Sequence, residues 1–173
     1  MINKIFHDID ECLLHTMLQE PDQNHISFDL NDGSTYYTIV HPAAKRLIEF
    51  SRSLVGKDNV YILTTSTEDY ANKINELADF GFDKDHIITR EEISRHYWSG
   101  AYGGGGTCEK KEVAHKDNVL IDNLPSRHNE SKMALIGIHS DRYFQTREYY
   151  GVNFPDDSFE EDVKAFLLDK VRN

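Results

Sequence analysis

Asp8 and Asp10 stand one residue apart in "IFHDIDECLL", where one short apolar run ends and another begins. A lone carboxylate beside buried side chains is costly unless it is paired, metal-bound or solvated, so the pair marks either a site or the turn after a strand. Two more polar clusters follow apolar runs in the same manner. Val60-Tyr61-Ile62-Leu63 ends at Thr64, Thr65 and Ser66, and Val119-Leu120-Ile121 ends at Asp122 and Asn123. Lys110 and Lys111 lie on the segment that enters the second of these runs. Brought together, Asp8, Asp10 and Asp122 repel one another, and a hard, oxygen-preferring cation such as Mg²⁺ relieves the repulsion. That cation and Lys111 neutralise a phosphoryl group, while Thr64, with Thr65 beside it, and nearby backbone N–H groups bond its oxygens. One carboxylate can then act as nucleophile through an aspartyl-phosphate, and its neighbour can move the proton, first to the leaving alcohol and then from water.

Such a set converges only if each cluster sits at the carboxyl end of a strand in one open parallel sheet, the edge where these sheets bind ligands. The runs Ile5-Phe6, Val60 to Leu63, Ile87-Ile88, Val119 to Ile121 and Met133 to Ile138 read as strands buried on both faces. Helical patterns lie between them. Pro42 opens one helix, striped by Ala44, Leu47, Ile48, Ser51, Leu54 and Val55. A second starts near Ser66-Thr67, one of which caps it, carries Glu68 and Asp69 at its positive end, buries Tyr70, Ile74, Leu77 and Ala78, and stops at Gly81. A third starts at Ser158, with Glu161 completing a capping box, and turns Phe159, Val163, Phe166 and Leu167 inward. The alternation predicts an α/β fold, a Rossmann-like, mostly parallel sheet flanked by helices.

Two segments break the rhythm. Ile26, Phe28 and Leu30 alternate with polar residues, "NDGS" supplies a turn and "TYYTIV" returns, which predicts a β-hairpin flap over about 25–41. In "REEISRHYWSGAYGGGGTCEKKEVAHKD", from Arg90 to Asp117, four consecutive glycines follow Tyr97, Trp98 and Tyr102. Such a run suits neither a helix nor a strand interior, so a mobile Gly-rich loop is expected over about 97–109, its aromatics able to stack on a substrate.

The chain has 173 residues and a formal charge of −11. That length suits one domain spanning 1–173, with no large cap domain. The charge argues against an extended nucleic-acid surface and against docking on anionic lipid. No apolar run is long enough to span a bilayer, and Met1 to Phe6 is too short and mixed for a signal peptide. Cys12 and Cys108, the two cysteines, have no metal-ligand spacing, which favours a reducing compartment, the cytoplasm. The nine histidines, His7, His15 and His41 among them, offer no zinc-like pair. Asp83-Lys84-Asp85 repeats the spacing of the opening pair on what reads as a solvated turn, and Arg90 and Arg127 read as solvated surface.

In order and spacing these motifs resemble the haloacid dehalogenase-like (HAD) phosphatases over roughly residues 3–140. Asp8-Ile9-Asp10-Glu11-Cys12 is similar to the superfamily's Asp-x-Asp-x-Thr, "VYILT" to its strand ending in Thr, and Lys110 or Lys111 with "NVLIDN" to its lysine and closing acidic strand. The resemblance implies that Asp8 is nucleophile and Asp10 general acid/base, and that Thr64 and Lys111 hold phosphate. It implies Mg²⁺ bound by Asp8, the Asp10 carbonyl and Asp122. "DIDECLLHT", the hairpin, "VHPAAKRLIEF" and "ILTTSTEDYA" look like the phosphatases of the polymerase C-terminal domain, whereas "HIITR" and "VLIDN" are similar to the deoxyribonucleotidases. The substrate is accordingly a phosphopeptide, a nucleotide or another phosphomonoester. Cys12 departs from the usual Thr, which leaves a weak or silent phosphate-binding module as the alternative of another class. A receiver-like signalling module joins the same residue types, but there the lysine follows the last strand, whereas Lys111 precedes Asp122.

Overall fold

The computed structural model describes residues 1–101 and 113–172. Five parallel strands form the main sheet in the order β6-β5-β1-β7-β8: β1 Ile5–His7, β5 Val60–Leu63, β6 Ile87–Ile88, β7 Val119–Asp122 and β8 Tyr143–Gln145. β1 is central, with Ile5 opposite Val60 on one side and Val119 on the other. A parallel strand needs cover on both faces, and the pleat supplies it. Ile5, Val60, Ile62, Val119 and Ile121 pack with Leu47 and Ile48 of α1 (Ala44–Val55), Ile74 of α2 (Glu68–Leu77) and Val163 and Leu167 of α5 (Phe159–Arg172). Phe6, Tyr61, Leu63 and Leu120 point the other way, onto Ile93 of α3 (Arg90–Ala101) and Leu135 and Ile136 of α4 (Glu130–Ile136). No described helix is long and apolar enough to cross a membrane.

The expected hairpin is present as β3 Ile26–Asp29 and β4 Thr35–Val40, turned at Gly33, whose φ of 81° requires a residue without Cβ. It belongs to a larger unit. β2, Leu14–Met17, pairs with β4 to give a three-stranded antiparallel sheet in the order β2-β4-β3. The hairpin is also packed: Phe28 is 6% exposed and its ring lies 6.1 Å from that of Tyr70 on α2.

Three expectations change. Met133 to Ile138 is no strand, because Glu130–Ile136 is helical and ends at Gly137 (φ 71°), with the Ile138 N–H returning to the Met133 carbonyl at 3.1 Å. A six-residue apolar run fits a helix as well as a strand, and the left-handed glycine decides for the helix. The strand on that side is β8, whose charged surroundings hide it. The segment expected as a loop begins as α3, so residues 97–101 are helical; Tyr102, the four glycines and the rest of the expected loop lie outside the described residues. The capping box at the last helix does not form with Glu161. Ser158 Oγ donates to Asp162 at 2.5 Å, and the Phe159 N–H donates to Asp157 Oδ1 at 3.0 Å.

α5 is clamped to α1 by Glu160, which accepts from Arg46 Nη2 and Lys164 Nζ, both at 2.6 Å. Those two bonds hold its carboxyl down at about 2, against an ordinary 4.5. A carboxylate with a depressed pKa adds stability above its unfolded value and loses it as the pH falls through the folded one. Glu160→Gln is therefore expected to melt below the wild type at pH 7. The gap should close as the pH is lowered from about 4.5 to about 2, read by circular dichroism melts across that range.

Candidate functional site

The three polar clusters meet at the carboxyl edge of the main sheet. The Asp8 N–H donates to the Ile121 carbonyl at 2.9 Å, extending the β1/β7 ladder by one residue, and the Thr64 N–H donates to the Ile88 carbonyl at 3.0 Å, doing the same for β5/β6. Asp122 ends β7, its carbonyl taking the Thr146 N–H at 2.8 Å. Asp8, Thr64, Asp122 and Asn123 are 6, 1, 0 and 5% exposed. Beyond Asp8 the chain folds back sharply. The N–H groups of Cys12, Leu13 and Leu14 all point to the Ile9 carbonyl, and Glu11 takes a left-handed φ of 54°. This turn lifts Asp10 over the strand ends.

At the centre lies a residue the sequence motifs did not single out. Lys132, on α4 and 1% exposed, donates to Asp8 Oδ1 and to Asp122 Oδ2, each at 2.7 Å. Burial alone would drive this ammonium down, but Asp8 and Asp122 outweigh it and hold the lysine above its ordinary range. Burial pushes Asp8 up to about 7; Lys132 opposes that rise, and Asp122 and Asp10 add to it. The signal was present in the sequence. Lys132, Leu135 and Ile136 share one face of α4, so a helical reading of 130–136 would have put a lysine among core positions. Lys110 and Lys111 lie outside the described residues. Because Lys132 follows Asp122, the chain-order contrast with receivers does not apply to it.

Asp10 is held differently. Its Oδ1 accepts from Tyr70 OH at 2.5 Å and its Oδ2 from Ser66 Oγ at 2.6 Å. Ser66 is thus engaged here rather than capping α2, and neither is Thr67 a side-chain cap. Burial, with Asp10 beside it, keeps the Tyr70 phenol far above its ordinary range, a neutral donor. Thr64 Oγ1 accepts the Ser66 N–H at 3.1 Å, which leaves its own proton free to be donated. Thr65 is exposed, and its carbonyl accepts from Arg90 Nε at 2.7 Å.

The residues present suit a cation. One terminal atom of the Asn123 amide lies 3.2 Å from both Asp8 Oδ2 and the Asp10 carbonyl oxygen. As nitrogen it donates to both. As oxygen it would stand beside Asp8 Oδ2 and the Asp10 carbonyl as the kind of oxygen donor a hard cation such as Mg²⁺ takes. Asp122, expected as a ligand, has both oxygens engaged, Oδ2 by Lys132 and Oδ1 by the Leu124 N–H at 2.9 Å. Asn123, next to it, is the side chain that reaches Asp8 and the Asp10 carbonyl. No group of three or more His, Cys, Asp or Glu among the described residues is arranged to hold a metal. Cys12 is 1% exposed, with Thr146 Oγ1 3.8 Å from its sulfur, and burial pushes its thiol well up, so it packs as an inert wall of the turn.

A model of the NLI interacting factor-like phosphatase family matches residues 4–167. The fold is similar to two solved structures. One is Fcp1, an essential RNA polymerase II CTD phosphatase, at 14% identity and a TM-score of 0.56, covering 98% of this chain and 49% of the other. The second is a variant of the fission yeast RNA polymerase II CTD phosphatase Fcp1 bound to beryllium fluoride, at 13% identity and a TM-score of 0.57, covering 97% and 50%. The chain spans about half the length of these solved chains. No curated protein sequence matches it.

Lys132 separates two buried carboxylates, so its loss is felt as charge without a partner. Lys132→Met is expected to lower unfolding free energy by about 3 kcal/mol, read from urea denaturation in EDTA.

Proposed function

The chain belongs to the NLI interacting factor-like phosphatase family, and from that premise we propose a Mg²⁺-dependent phosphomonoesterase that works through an aspartyl-phosphate on Asp8. The observation that carries the reading is the Asp8 carboxylate itself. Its Oδ1 is held by the Lys132 ammonium, and one terminal atom of the Asn123 amide lies 3.2 Å from its Oδ2 and from the Asp10 carbonyl oxygen. In this reading Asp8, the Asp10 carbonyl and Asn123 hold the Mg²⁺, which supplies charge neutralisation at the phosphoryl oxygens.

The protein's own groups do the rest. Thr64 donates its free hydroxyl proton to a phosphoryl oxygen, and Lys132 balances the charge beside it. Asp8 Oδ1 attacks phosphorus as the ester P–O bond breaks, and Asp10 gives its proton to the departing alkoxide. Asp10, now a carboxylate, takes a proton from water as that water attacks phosphorus. The Asp8–phosphate bond breaks, inorganic phosphate leaves, and both aspartates return to their starting states.

For the substrate we favour a phosphorylated serine or threonine on a polypeptide over a nucleoside monophosphate. The likeness to structures described as CTD phosphatases supports this. The two-cysteine composition supports a cytoplasmic setting.

Purified protein is expected to release phosphate from a phosphoserine peptide with Mg²⁺, faster than from deoxynucleotides or sugar phosphates. EDTA and Asp8→Asn should each bring the rate to background. Hydrolysis surviving in Asp8→Asn would refute the covalent route, and Mg²⁺ binding without turnover on any ester would make this a silent phosphate-binding module. Asn123→Ala should raise the Mg²⁺ concentration for half-maximal activity by roughly tenfold, whereas Asp122→Asn should act mainly through Lys132 and stability.

A further inference from the structure

The two aspartates of the opening motif are held by different chemistry: Asp8 by an ammonium, Asp10 by hydroxyls, one on each oxygen. Tyr70 OH donates its single phenolic proton to Asp10 Oδ1. Thr16 Oγ1, 2.7 Å from Tyr70 OH, must then donate to it. Thr38 Oγ1, 2.7 Å from Thr16 Oγ1, must in turn donate to Thr16. The contacts thus form a one-way row running Thr38, Thr16, Tyr70, Asp10.

Each member is fixed by the fold. Thr16 and Thr38 face one another across β2 and β4, and Thr38 is fully buried. Tyr70 sits in the first turn of α2, 7% exposed, with its ring against Phe28 of β3. The row therefore ties Asp10 to the three-stranded sheet.

We propose that Tyr70 and Ser66 are positioning residues that fix the plane of the Asp10 carboxylate for proton transfer, and that the second sheet carries the anchor through Thr16 and Thr38. The proposal rests on the acid/base role given to Asp10 above. The end torsion of an aspartate is broad, so one hydrogen bond leaves the carboxylate free to swing; donors on both oxygens set its plane. Each oxygen keeps a second lone pair for the proton it carries. Proton transfer tolerates little misplacement, which is where the loss of either donor should tell.

The test compares first-turnover rates, with Mg²⁺, on two esters: an alkyl phosphate, phosphoserine in a peptide, whose leaving group needs a proton, and dinitrophenyl phosphate, whose leaving group does not. Tyr70→Phe, which keeps the ring against Phe28, is expected to slow the alkyl ester on the order of tenfold and leave the aryl ester nearly unchanged. Ser66→Ala should give the same pattern. Tyr70→Phe added to Asp10→Asn should cost nothing further, because both act through one group. Equal slowing of both esters by Tyr70→Phe and Ser66→Ala, or losses that multiply in the double variant, overturns the positioning role. An Asp10→Asn enzyme that slows both esters alike overturns instead the acid/base role of Asp10, so the two failures are told apart.

Discussion

Everything at the sheet edge depends on one ammonium between two carboxylates. Asp8 and Asp122 end neighbouring parallel strands, and the pairing of β1 with β7 forces them close in a region from which water is excluded. Two bare carboxylates there would oppose the very register that places them. Lys132 resolves the conflict from a third element, α4, with bonds of 2.7 Å to each. Buried ion pairs of this kind offset their own desolvation only when the geometry is good and the remaining polar valences are met. Here Asp122 spends its other oxygen on the Leu124 N–H, and the second oxygen of Asp8 accepts from the Asn123 amide when that amide presents its nitrogen. The interaction is structural and chemical at once, because the oxygen it steadies belongs to the proposed nucleophile.

Around that pair the division of labour is sharp. Asp8 is fixed by backbone, by charge and by burial. Asp10, two residues on, escapes the sheet through the left-handed turn at Glu11 and is met by neutral hydroxyls from α2 and the loop before it.

Much of this was legible in the residues. Apolar runs buried on both faces stand out, and each ended in the polar cluster that the sheet brings to its edge. Asp8, Asp10, Thr64 and Asp122 could be placed in this way. Asn123 was visible only as a neighbour, since nothing in a sequence tells which of two adjacent side chains turns toward Asp8 and the Asp10 carbonyl. Lys132 was hidden by a wrong period: "MALIGI" read as a strand leaves no reason to ask which way the preceding lysine points. β8 was hidden because "YFQ" lies among charged residues, and β2 because "LHTM" gives too few alternations to show a period. Ser66 and Tyr70 read as a cap and a core aromatic, and what those readings lacked was the second partner each hydroxyl finds across the fold.

The central position of β1 has a further consequence, for the order in which the molecule can be built. The strand bearing Asp8 is made before its partners β5 and β7, and the ammonium that balances Asp8 lies 124 residues downstream. Contacts so remote in sequence form late and slowly. A nascent chain emerging from the ribosome would thus hold a naked first strand, apolar on both faces and tipped with aspartates, until α4 arrives.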